Sequence, residues 1–93
     1  MSLTIDQELQ SGIAAHNKGK LQEAERIYRF ILQSQPKNPD ANHNLGVLIV
    51  SLNNSESALP LFKAALDSNP KIEKFWVSYI NALINENQLQ GAK

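Results

Sequence analysis

PDANHNLGVLIVSLNNSESALPLFKAALDSNPKI, residues 39–72, decides the fold. Two apolar runs at helical spacing lie within it. One passes through Leu45, Leu48, Ile49 and Leu52, the other through Ala58, Leu61, Phe62, Ala65 and Leu66. Between them, Asn53-Asn54-Ser55 carries side chains that compete with backbone hydrogen bonds and so favour caps and turns. Asn69-Pro70 closes the second run, because proline disfavours the helical state of the residue before it. The unit is helix, tight turn, helix, stop.

The pattern returns at a fixed period. Ala24, Ala58 and Ala92 are 34 residues apart, as are Gly12 and Gly46, Tyr28 and Phe62, Leu32 and Leu66, and Pro36 and Pro70. Leu21, Ser55 and Leu89 hold equivalent turn positions. Leu45-Gly46, Ala58, Phe62, Ala65 and Pro70 stand at the offsets of the tetratricopeptide repeat, and the chain resembles that family from Ile5 to its last residue. The resemblance implies an all-α fold, a right-handed α-solenoid of antiparallel helical hairpins. It implies a single domain over 1–93, with repeats at 5–38 and 39–72 and a partial repeat at 73–93. Because the sequence stops in the middle of a unit, it reads as a fragment of a longer chain. Met1-Ser2-Leu3 reads as a vector-derived leader.

Taken in order, Thr4 is placed to cap a helix over 5–18, with Gln7 as the reciprocal partner of a capping box. Gly19 is the expected left-handed stop, since glycine takes positive φ without a Cβ clash. The spacing predicts further helices over 21–34, 39–52, 55–68 and 72–86. Asn38 and Pro39 form an N-cap followed by a first-position proline. Pro60, inside the fourth helix, is expected to bend it or fray its first turn. Asn87 replaces the turn glycine and tolerates the same backbone, so a turn is expected there and a new helix from Gln88. Gly12, Gly46 and the three alanines at 24, 58 and 92 let paired helices approach, with Tyr28 and Phe62 filling the space beside them. Trp76 is expected in the core between paired helices.

Composition narrows the function. Hydrophobic content is 42%, and no apolar run approaches the roughly 18 residues that span a bilayer. The N-terminus lacks the basic and apolar regions of a signal peptide. Nine basic and nine acidic residues cancel, leaving no basic stripe for nucleic acid. The absence of cysteine suits a reducing compartment, and a cytoplasmic location with no membrane contact is expected. There is no Gly-rich phosphate loop, no HExxH and no GxSxG, so neither catalysis nor a cofactor is expected. His16 and His43 lack a third ligand, so no metal site is expected. Asp6, Glu8, Glu23 and Glu25 read as a solvated face.

The resemblance implies that a concave groove, lined by the first helix of each repeat, holds a partner. Mapped onto this chain, the candidate binding residues are Leu9, Gln10, Ile13, His43, Asn44, Val47, Val50, Lys74, Val77 and Asn81. One subfamily grips the C-terminal carboxylates of chaperones at five groove positions, which here are Leu9, Ile13, Asn44, Lys74 and Ser78. Only Asn44 and Lys74 match, and two basic side chains are absent, which argues against such a tail. Asn44 also resembles the asparagine ladder of repeats that precede O-linked sugar-transferase domains, and Gln10 has the same donor and acceptor capacity. The expected function is a non-catalytic scaffold for protein–protein interaction, taking a peptide or helix in the groove. The alternatives are a targeting or substrate-recruiting N-terminal arm of a larger bacterial transferase, and a self-assembly module. The latter would be a homodimer through Trp76, Ile80 and Leu83, the face that a following helix would cover.

Overall fold

Local capping chemistry sets the helix ends. The computed structural model describes residues 3–91, with side chains described as far as Asn87. Five helices follow one another: α1 (Ile5–Asn17), α2 (Leu21–Ser34), α3 (Pro39–Ser51), α4 (Ser55–Ser68) and α5 (Glu73–Gly91). Among the described residues there is no strand. The Thr4 hydroxyl accepts from the Gln7 N–H at 3.1 Å and the Gln7 side chain accepts from the Thr4 N–H at 2.9 Å, completing the capping box. Gly19 ends α1 at φ +79, and Asn53, 34 residues on, takes the same left-handed state at φ 62. Asn38 Oδ1 accepts from the Ala41 N–H at 2.9 Å at the start of α3. Asn54 Oδ1 accepts from the Ser57 N–H at 3.3 Å, and α4 runs through exposed Pro60 with its first turn intact.

The helices pack as neighbours. α1 pairs with α2 and α3 with α4, while α2 rests on α3 and α4 on α5. At each pair's crossing a glycine receives an aromatic ring. A Cβ on Gly12 would lie 2.7 Å from Tyr28 Cε1, and one on Gly46 would lie 2.5 Å from Phe62 Cε1. Tyr28, Phe62, Ala24 and Ala58 are fully buried there. Removing each ring from water stabilises the fold by about 1.5–3 kcal/mol, and the glycine lets it reach that depth. The result is an all-α helical-repeat solenoid, 51 Å long and 20 Å thick.

Two expectations fail in α5. Asn87 does not turn, and the helix runs unbroken from Glu73 to Gly91, so no separate helix starts at Gln88. Asparagine in a helix interior costs only about 0.7 kcal/mol relative to alanine, which packing readily overrides. At Asn53 the turn is held by Asn54 capping α4 and by Phe62 seated on Gly46. The equivalents in α5 are Gln88 and Ile80, which supply neither the short capping side chain nor the glycine seat. Ala92 lies outside the described residues, as do Met1 and Ser2, and of the Leu89 side chain nothing is described.

Trp76, expected in the core, is 45% exposed; its neighbour Phe75 fills the core instead, beside Ala65 and Leu66. Counting back 34 residues, Trp76 corresponds to Asn42, on the face of α3 that α4 covers. No described helix covers that face of α5, so the indole stays outside. Its N–H still finds a partner, donating to the Pro70 carbonyl at 2.7 Å. Asn42 makes the equivalent bond to the Pro36 carbonyl at 3.1 Å.

Gly46→Ala tests the crossing. Alanine ordinarily stabilises a helix by about 1 kcal/mol over glycine. Here the ring in the way is rigid and packed, so the change is expected to destabilise the chain by about 1–3 kcal/mol in urea unfolding. Phe62→Ala alone should cost about 3–5 kcal/mol. The double variant should cost less than the sum, because the first change then meets no ring. Additive losses would mean that the two residues do not share one contact.

Candidate functional site

The groove lies on the face shared by α1, α3 and α5. Its residues recur every 34 positions, and burial at each depends on whether another first-of-pair helix follows. Leu9, His43 and Val77 are one such set. Leu9 and His43, expected on the groove surface, are only 7% and 8% exposed, because the next helix of that row closes over them. Val77 has no described helix beyond it and is half exposed. Ile13 and Val50 are half-buried and pack against the main core. Gln10 and Lys74 are exposed, and Asn44 is half-buried.

Four of the expected or mapped residues converge. Val47 and Val50 on α3 face Ser78 and Asn81 on α5 across a pocket of about 190 Å³, with Phe62 and Ala82 deeper and Asn85 beside Asn81. Val47 and Val50 are one turn apart, as are Ser78 and Asn81, so one wall is aliphatic and the other polar. Leu9, Gln10 and Ile13 do not line this pocket. Its volume falls below the about 300–1,000 Å³ of sites that enclose a small organic ligand, so it has room for one side chain. Phe62, Ala82 and Asn85 were not among the expected binding residues. The periodic signal alone cannot supply Phe62 and Ala82, which reach the pocket from core positions.

His43 sits beneath this surface as a tie between helices. Its Nε2 lies 2.7 Å from Ser78 Oγ, and its ring packs at 5.7 Å from Phe62 and 4.9 Å from Phe75, centroid to centroid. The buried Nδ1 has no hydrogen-bond partner. Burial pushes the His43 pKa below its ordinary value of 6.5, and the Lys74 charge acts in the same direction; Asn44 and Asp40 oppose them. Lys74 itself extends over the Phe75 ring, 5.8 Å from its centroid. Among the described residues no group of three or more His, Cys, Asp or Glu side chains gathers to hold a metal. No described helix is long and apolar enough to cross a membrane.

The histidine makes folding pH-dependent with a definite sign. The unfolded chain takes up a proton at His43 near pH 6.5, while the folded chain resists it. Stability from this group is therefore full above that pH and is lost as pH falls through it towards the lower folded value. The thermal midpoint is expected to drop between pH 7 and pH 5. His43→Phe should flatten that part of the profile, and an unchanged slope would place the titrating group elsewhere.

A family model for the tetratricopeptide repeat matches residues 15–71, more than half of the chain. No curated protein matches the sequence. The matched segment holds the Tyr28 and Phe62 rings, Gly46 and the alanines at 24 and 58 that make the two crossings. The chain belongs to the tetratricopeptide repeat family.

Proposed function

We propose that this chain is a non-catalytic binding module that holds an extended, mildly hydrophobic peptide in the groove between α3 and α5. Repeats of this family generally mediate protein–protein interaction and typically form scaffolds without catalysis. The observation that carries the reading is the pocket with an aliphatic wall of Val47 and Val50 and a polar wall of Ser78, Asn81 and Asn85. One aliphatic peptide side chain enters between Val47 and Val50. The amides of Asn81 and Asn85, which both donate and accept, meet the peptide backbone on either side. Asn44, Gln10, Val77 and Lys74 extend the contact along the groove. Ile13 gives it a partly apolar edge, while Leu9 and His43 support it from below.

Zero net charge speaks against a strongly charged tail or nucleic acid as the partner, and the lack of cysteine suits action in the cytoplasm. A homodimer through Trp76, Ile80 and Leu83 is a second reading, favoured by the exposure of all three. That face does not border the groove pocket, and its occupant is taken up below.

A blocked, uncharged peptide with one central leucine between serines and threonines is the probe. It is expected to bind with weak, micromolar affinity and to move amide resonances at Val47, Ser78 and Asn81. Val47→Asp should abolish binding, and Asn44→Ala or Asn81→Ala should weaken it. Affinity should change little between low and physiological salt, since few charge pairs take part. A tenfold loss over that salt range, or full binding to Val47→Asp, would overturn the proposal.

A further inference from the structure

Trp76, Ile80 and Leu83 form a stripe along α5, with successive residues four and three positions apart, and are 45%, 49% and 38% exposed. The fold itself shows what such a stripe is for. The residues 34 positions earlier are Asn42, Gly46 and Ile49 on α3, and all three are buried under α4. On α1, Gly12 and Ala15 of the corresponding stripe are buried and Glu8 is half-buried, with Tyr28 of α2 against Gly12. This chain thus covers that face with a helix on both earlier occasions and leaves it bare on α5.

Two details define the occupant. First, the middle position is glycine on α1 and α3 but Ile80 on α5. On the earlier helices even a Cβ there would collide with the ring, so a helix presenting an aromatic at the crossing cannot sit down over Ile80. The knob and the hole have changed sides. Second, the indole of Trp76 is held in place by its 2.7 Å bond to the Pro70 carbonyl. An exposed aromatic already fixed in one orientation loses little freedom on being covered, which is the property of an interface anchor.

We propose that the outer face of α5 docks one amphipathic helix of another polypeptide, laid across α5 as α4 lies across α3, with glycine, alanine or serine opposite Ile80. The described helices of this chain are already committed. α2 and α4 bury their aromatic faces on α1 and α3, and α5 runs straight through Asn87 instead of folding back on itself. A second copy is a poor occupant. Two α5 stripes face to face set Ile80 and Trp76 against bulky side chains with no small residue to receive them. The three half-exposed side chains also fall well short of the about 800 Å² per partner of a standard stable interface.

Trp76 is the only tryptophan in the chain and reports directly on this face. The probe is a blocked peptide with the sequence of residues 21–34, stapled across positions 22 and 26, which are exposed in α2. It is used in two forms, unchanged and Tyr28→Ala, neither of which contains tryptophan. The Tyr28→Ala form is expected to shift Trp76 emission to the blue and to bind at least about tenfold more tightly than the unchanged form. Ile80→Ala in the protein should reverse that order. Leu83→Glu should abolish both responses while leaving the circular dichroism and thermal midpoint unchanged. Equal binding of the two peptides would overturn the proposal, as would a silent Trp76 at millimolar peptide. So would light scattering that shows the chain pairing with itself while Trp76 emission is already blue-shifted. Each of these failures leaves the groove reading standing, since that is read at Val47, Ser78 and Asn81.

Discussion

The contact of an aromatic ring with a glycine backbone governs this molecule. Tyr28 on Gly12 and Phe62 on Gly46 bring the helices of each pair so close that no side chain fits between them. Once that distance is fixed, only alanine fits at 24 and 58, both fully buried. The turn between the helices must then be tight, and Gly19 and Asn53 supply the left-handed residue it requires. Where the glycine gives way to Ile80, every one of these consequences lapses together. The turn is not made, the helix continues, and the face stays open.

Local chemistry was the legible part of the sequence. Thr4 with Gln7, Gly19, Asn38 with Pro39, and Asn54 act through their immediate neighbours, and the ends they mark fall within one residue of those expected. Two periodic crossings were equally legible, since Gly12 and Tyr28 recur as Gly46 and Phe62. Asn87 was not legible, because asparagine is left-handed at 53 and helical at 87, and packing beyond the turn makes the difference. Trp76 shows a similar limit. Its place on the helix was read correctly, but aromatic character does not tell whether another helix covers that place. In the groove, the same repeat position is core at Leu9 and His43 and surface at Val77, so position in the repeat fixes direction without fixing burial.

α5 therefore serves both sides of the molecule. Towards α3 it contributes Ser78, Asn81 and Asn85 to the polar wall of the groove, and Phe75 to the core beneath. His43 joins these layers, touching Phe62 of α4 as well as Phe75 and Ser78 of α5. A charge on that ring would be unwelcome in every direction except towards Asp40 and Asn44. The groove thus depends on a neutral imidazole for the fit of one of its two walls.

The stacking order also sets how the chain opens. Contacts run from each helix to its near neighbours: α1 to α2 and α3, α5 to α4 and α3. Such a stack behaves as a one-dimensional lattice in which each unit is stabilised by the units beside it. The α3–α4 pair has neighbours on both sides, whereas α1–α2 and α5 have neighbours on one. Amide hydrogens should accordingly exchange slowest in the middle pair and faster towards both ends, in a gradient and not in a single step. α5 lies at the fast-exchanging edge and carries both proposed contact surfaces, so either partner would be expected to slow exchange there first.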